Sequence, residues 1–327
     1  MRKTSITLNV IRYIVIIFMV FLVISPFLWI ISTSLKSRLE INNPVPIIFF
    51  KPSLQNYYDA FQKSNFGKNF TDSITVSFGS LLLSLLLGVP AAYGIGRHQV
   101  GGKRFSFWIL STRMIPPVAV ALPLYILYRD FKLLDSHLGL IFSYTLFNLS
   151  YIVWMMAGFI REIPKELDES AMLDGCNVWQ TLYRIILPII GPGLVATSIF
   201  SLIISWNEFL MALILTSINV RTLPVAIATF VTDREILWGQ MSAAGVLSIV
   251  PVIIFTIHYL IHWPLSQRKQ RSVSRSVLKV IPHFLQVTSR KDDLFSIISS
   301  AHEHFQPIFP FKACSNALSS SHPFLGI

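Results

Sequence analysis

The chain is laid out as long apolar blocks separated by short polar and basic segments. Apolar runs fall near residues 13 to 33, 72 to 96, 105 to 128, 138 to 160, 193 to 215 and 241 to 262. At 1.5 Å per residue each is long enough to cross about 30 Å of hydrocarbon. The pattern predicts an all-α fold, a polytopic transmembrane helical bundle of six spans over residues 13–266, with a short N-terminal segment at 1–12. The first run continues for about 20 residues without a small-residue cleavage site, so it reads as a retained span and not as a signal peptide. Pro26, Gly88, Pro90, Pro116, Pro117, Pro123, Gly245 and Pro251 lie inside the runs, where a soluble helix would rarely accept them. Such kinks are common in transporters and also occur in purely structural bundles. From 267 to 327 the character changes to scattered Ser, His and Phe without a sustained period, which predicts a poorly ordered cytoplasmic tail.

Composition agrees with the pattern: hydrophobic residues make up 53% and charged residues 13% of 327 positions. The formal net charge of +11 is spread in short clusters between spans, which argues against a nucleic-acid surface and for contact with anionic lipid. Those clusters also orient the bundle. Arg2, Lys3 and Arg12, then Arg97, Lys103 and Arg104, then Arg161, Lys165 and Arg184, then Arg268, Lys269 and Arg271 carry mostly unopposed positive charge and belong in the cytoplasm. On the opposite side Arg129 and Lys132 are offset by Asp130 and Asp135, and Arg221 and Arg234 by Asp233 and Glu235. The loop from about Ser34 to Phe70, with five basic residues, runs against the trend. Both termini are expected in the cytoplasm. Cys176 and Cys314 have no paired spacing, so no disulfide framework and no zinc site is expected.

The most informative polar segment is the cytoplasmic loop at 162–188. Pro164 suits the first turn of a helix, acidic residues follow near its positive end, and Gly175 is placed to end it in the left-handed conformation. A short helix, a sharp turn and a second short helix are predicted. Ile163, Leu167, Ala171 and Met172 supply an apolar side, while Lys165, Glu166, Asp168 and Glu169 are expected to face water or a partner. Two readings of this loop remain open, a helix resting on the membrane surface and a helix docking on another protein. The carboxylates favour docking to a basic protein surface.

Glu169-Ser170-Ala171, three residues, Gly175, nine residues, then Ile185, one residue and Leu187-Pro188 resemble the EAA loop of ABC importer permeases at every spacing, with Ser170 in place of the usual Ala. Pro26-Phe27-Leu28-Trp29 with Ser34-Leu35-Lys36, Ser111 to Pro117, Ser205 to Phe209, and Leu223-Pro224 followed by Trp238-Gly239 and Ala243-Ala244 are similar to the six-span, maltose-type carbohydrate branch. The resemblance covers roughly residues 8–266. It implies a permease subunit in the cytoplasmic membrane that works with a second, usually non-identical permease, an ATPase dimer and an extracytoplasmic solute-binding protein. On that resemblance Glu169, Ser170, Ala171, Asp174, Gly175, Leu187 and Pro188 couple the chain to the ATPase. The family's short basic ending is absent from this sequence. No Gly-x-x-x-x-Gly-Lys-Ser/Thr loop occurs, so the chain is expected to bind no cofactor and to leave ATP to its partner.

Arg113, Asn207 and Glu208 are polar groups inside spans and candidates for the substrate pathway. Bonding between helices suits Asn207 and Glu208 equally well, and snorkelling or pairing with a carboxylate is the default for Arg113. His258 and His262 share a helical face but lack a third ligand, so no metal is expected. Gly94-Ile95-Gly96 follows a span and reads as close packing, not as a dinucleotide loop. No constellation for catalysis is apparent. The competing function is an ion-coupled secondary transporter, which would need intramembrane acids that are sparse here.

Overall fold

A pair of adjacent prolines breaks one apolar block, and a polar Asn-Glu pair interrupts another. The computed structural model describes residues 6–63, 65–232, 235–254 and 256–257. The described chain is helical: α1 (Ile6–Leu35), α2 (Arg38–Ile41), α3 (Gln55–Lys63), α4 (Phe66–His98), α5 (Gly102–Thr112), α6 (Pro117–Asp130), α7 (His137–Arg161), α8 (Glu166–Leu173), α9 (Val178–Ile189), α10 (Gly191–Trp206), α11 (Leu210–Leu215), α12 (Leu223–Ala228) and α13 (Trp238–Ile254). One isolated antiparallel bridge joins Val231 and Ile236.

Three helices, α1, α4 and α7, are each long and apolar enough to cross a membrane unaided, and five spans result if each bent pair counts as one. The third expected span is interrupted at 113–116, because Pro116 and Pro117 cannot continue the amide ladder of α5. The fifth is interrupted at 207–209 between α10 and α11. α13 is an apolar helix shorter than a full span, and the rest of the sixth expected span, with His258 and His262, lies outside the described residues. So do Asp233, Arg234, the Arg268 cluster and the whole tail. Pro26, Pro90 and Pro123, by contrast, sit within continuous helices.

Two compact units divide the chain. The first holds residues up to Gly79, Pro117–Tyr144 and Ser205–Ile254. Its core gathers Ala60, Phe66, Trp206, Leu223, Phe230 and Ala244, with Phe70 meeting Trp206 edge-on at 5.9 Å. The Trp206 indole donates to the Ser248 carbonyl at 3.1 Å, so its polar atom is satisfied where it is buried. In the same unit the segment 216–222 is held by side chains instead of a ladder. Asp135 accepts four backbone amides, from Ser217, Ile218, Asn219 and Val220, at 2.9–3.1 Å. Asp72 accepts the Arg221 amide and contacts His137 Nε2, and Ser73 Oγ accepts the Leu223 amide.

Partial burial alone would raise the Asp135 carboxyl, but the four amides outweigh it and hold the group near pKa 2, below its usual 3.8. The folded value is depressed, so the stabilisation is complete above about pH 4 and is lost as pH falls through about 2. Asp135→Asn keeps the shape but leaves amide donors unmatched, at a cost of about 1 kcal/mol. Hydrogen exchange at 217–220 is expected to quicken about fivefold in this variant at neutral pH, whereas unchanged protection would show that the carboxylate does not hold the segment.

The second unit holds Ser80–Pro116 and Thr145–Ile204. Here the C-terminal half of α4 lies against α7 at close range. A Cβ added at Gly88 would stand 2.8 Å from Ile152 Cγ2, and one at Gly96 would stand 3.1 Å from the Ala157 carbonyl oxygen. Small residues at these positions let the backbones approach, in accord with the packing reading of Gly94-Ile95-Gly96. Ile152, Met156, Ile160, Leu182 and Ile186 are fully buried.

Candidate functional site

The loop at 162–188 folds as predicted in outline, two short helices about a sharp turn, but it is fastened by residues that the pattern did not single out. All of the fastening lies within the second unit. Asp168, on α8, is 4% exposed; its Oδ1 accepts the Tyr93 hydroxyl at 2.6 Å and its Oδ2 lies 2.6 Å from Arg97 Nη2. Arg97, at the last turn of α4, also donates to the carbonyl oxygens of Ile163 at 2.8 Å and Pro164 at 3.4 Å. One guanidinium therefore binds both the start of the loop and the helix that follows it. Ala171, at 0% exposure, sits three residues from Asp168 on the same buried face.

Four expectations are corrected by this arrangement. Asp168 is not available to a partner; it is the buried anchor of α8. Arg97 is not an unopposed surface charge but one half of a buried ion pair. Pro164 precedes the helix, which begins at Glu166 with Lys165 as its cap. Met172 faces outward at 43% exposure instead of joining the apolar side.

The turn is built as its sequence requires. Gly175 has φ of 81°, its amide donates to the Met172 carbonyl, and the Cys176 amide donates to that of Ala171. This pair of bonds satisfies two carbonyls at the end of α8 and demands a residue without Cβ at position 175. Cys176 is buried, and Cys314 lies outside the described residues. Asn177 then caps α9, with Asn177 Oδ1 accepting the Gln180 amide and Gln180 Oε1 accepting that of Asn177. Pro188 has no amide, and its ring crowds the carbonyl four residues back. The turn before it, Leu182–Ile186, widens to a π-helix in which the Leu187 amide reaches the Leu182 carbonyl. α9 and α10 then meet at 82°.

What remains outward is a mixed acidic and apolar surface. Glu166, Glu169 and Asp174 are exposed, and the Glu169 carboxylate has no partner among the described residues. Leu173 is 89% exposed, and Trp179 stacks on Tyr183 at 6.1 Å with both rings in the open. Ser170 donates to the Glu166 carbonyl at 2.6 Å, so its hydroxyl is used within α8. Leu187 is half-buried and Pro188 exposed at the end of α9. On α8 the exposed carboxylates outnumber the exposed base Lys165 beside it and stand near exposed aromatic and aliphatic groups, which suits a protein-docking surface better than a helix resting on lipid.

Asn207 and Glu208 lie in the first unit and Arg113 in the second. Asn207 is exposed and lines a cavity of about 300 Å³ with Trp206, Leu223 and Pro224 in the first unit. Glu208 turns instead to the backbone, its Oε1 accepting the Met211 amide at 3.1 Å at the start of α11. Arg113 donates to the Phe147 carbonyl at 2.9 Å and lies over the Tyr151 ring at 5.4 Å, and among the described residues no carboxylate pairs with it. No group of three or more metal-binding side chains occurs among the described residues.

The family described as binding-protein-dependent transport system inner membrane component matches residues 84–264, which takes in the whole of the α8–α9 loop. The chain belongs to that family. It is accordingly a multi-pass protein of the cytoplasmic membrane and a transport component, not an enzyme in its own right. Among similar permeases, a probable ABC transporter permease of Sinorhizobium fredii is 32% identical over 72% of this chain and 85% of its own length. The diacetylchitobiose uptake system permease NgcG of Streptomyces coelicolor is 31% identical over 71% and 78% of the two chains. The trehalose transport system permease SugB of Mycobacterium tuberculosis is 32% identical over 71% and 86%. The crystal structure of a bacterial ABC transporter that imports the acidic polysaccharide alginate contains a chain of the same fold, with a TM-score of 0.63 at 20% identity, covering 82% of this chain and 99% of the other.

Proposed function

We propose that this chain is the permease subunit of a binding-protein-dependent ABC importer for a sugar or related carbohydrate. It works beside a second, non-identical permease, with an extracytoplasmic solute-binding protein and an ATPase dimer that binds the ATP. The observation that carries the reading is the α8–α9 loop, whose back is fastened to α4 by Arg97 and Asp168 while Glu169, Asp174 and Leu173 face outward. A lever held rigidly from behind transmits a push from a docked motor into the spans. The names of the similar permeases support a carbohydrate as cargo, and the sparse intramembrane acids speak against ion coupling. In this reading Asn207 and the cavity beside it belong to the substrate path, with Glu208 and Arg113 as its further candidates.

In this reading six spans cross the membrane with both termini in the cytoplasm. Reporter fusions after Arg104 are expected to score cytoplasmic and fusions after Asp135 extracytoplasmic; the reverse pattern would put the α8–α9 loop on the wrong side for an ATPase. The function itself is tested by reconstituting the chain with its operon partners and measuring uptake of radiolabelled trehalose, maltose and chitobiose with and without ATP. Uptake driven by an ion gradient without ATP would overturn the proposal in favour of a secondary transporter.

A further inference from the structure

At the far end of α1 the first unit forms a half-open cavity of about 580 Å³ that the transport function does not call for. Its wall is mostly apolar, with Trp29, Ile30, Ile41 and Met241 among its lining, and two charged side chains enter it, Lys36 and Glu40. Lys36 is 5% exposed, and its ammonium lies over the Trp29 ring and the Phe50 ring, each at 5.1 Å. No carboxylate is within ion-pair distance of it among the described residues. Glu40 acts on it through space without reaching ion-pair distance, so the ammonium, stacked on two ring faces, keeps room for a second anion. Glu40 presents the opposite charge: its Oε2 accepts the Ser37 amide and hydroxyl, and its Oε1 has no partner among the described residues.

We propose that this cavity seats one phospholipid with a zwitterionic, amine-bearing headgroup, its phosphate on the Lys36 ammonium, its amine at Glu40 and an acyl chain along the apolar wall. Position names the occupant. The apolar span of α1 ends at Leu35, so Lys36 stands at the boundary where hydrocarbon gives way to headgroups, and Trp29 lies just inside it. Lining chemistry suits a lipid better than a sugar, because the wall is mostly apolar and a sugar needs many hydrogen-bonding groups. Thr33 Oγ1 already donates to the Trp29 carbonyl, and Asn43 Oδ1 already accepts the Val45 amide. A singly anionic headgroup without an amine would satisfy Lys36 and be repelled by Glu40. The proposal requires α1 to be a span, but not its orientation or the identity of the cargo, so it stands apart from the transport reading.

The test uses the full chain, purified in detergent, stripped of lipid and titrated in native mass spectrometry with phosphatidylethanolamine. Gly245 lines the cavity and a Cβ there meets nothing within 4 Å, so Gly245→Leu fills the seat without disturbing α13. One phosphatidylethanolamine per chain is expected, lost in Gly245→Leu while its thermal unfolding stays at or above the wild-type midpoint. Lys36→Met is expected to weaken binding about tenfold, as loss of one charge-assisted bond does, and phosphatidylglycerol to bind about tenfold more weakly than phosphatidylethanolamine. Retention of the lipid by Gly245→Leu would overturn the site. Equal binding of phosphatidylglycerol would overturn the headgroup assignment, and displacement by soluble glycerophosphoethanolamine or by trehalose would show a free phosphate or a sugar as the occupant.

Discussion

Asp168→Ala is expected to cost about 3 to 5 kcal/mol and to release the α8–α9 loop from α4, because it strands the Arg97 guanidinium in a buried site without its counter-charge. Arg97 is 8% and Asp168 4% exposed, so water offers little screening to either. Asp168→Ala also removes the acceptor of the Tyr93 hydroxyl. Asp168→Asn keeps that acceptor and loses only the charge, so its effect should fall between. Arg97→Met combined with Asp168→Leu replaces both ions by apolar groups and should recover much of the stability. The measurements are urea unfolding of the purified chain and copurification with the ATPase. A urea-unfolding free energy for Asp168→Ala within about 0.5 kcal/mol of wild type, with the ATPase fully retained, would mean that the pair does not fasten the loop.

Glu169→Ala and Gly175→Val are expected to abolish most transport by different routes. Gly175 stands at φ 81°, where a β-branched residue is strained by about 1 to 2 kcal/mol, so valine there re-aims α8 relative to α9. Glu169→Ala removes no bond within this chain, since the carboxylate is exposed and unpartnered among the described residues. Any loss therefore reports on the partner, where removing one member of a buried charged pair costs about 2 to 5 kcal/mol. Unfolding should shift for Gly175→Val and stay unchanged for Glu169→Ala, while substrate-stimulated ATP hydrolysis falls in both. The control is Lys51→Ala, an exposed residue well away from the loop in sequence. Transport equal to the control in both loop variants would remove the coupling role from this surface.

The legible part of the site was its local part. The left-handed turn at Gly175 and the α8–α9 pairing follow from nearest neighbours and can be read from spacing. Asp168 was assigned to water because an acid in the first turn of a short helix usually faces it. Its spacing from Ala171 was the available signal, since residues three apart share a face and Ala171 belongs to the buried one. Nothing local pointed to Arg97 or Tyr93 as its partners, as they lie more than 70 positions earlier, on α4. Pro116 and Pro117 were read as kinks inside a span, whereas paired prolines end α5 outright.

By itself the sequence determined the helical class, the apolar blocks, the family and the acidic face of the loop, because hydrophobicity, backbone stereochemistry and motif spacing act over a few residues at a time. Only the tertiary structure decided which charges are buried together, which carboxylate of α8 is left for a partner, and that Lys36 ends among aromatic rings in a cavity. Those outcomes depend on which distant groups the packing brings within about 3 to 6 Å, where desolvation and ion pairing set the energies, and a one-dimensional pattern does not carry that distance.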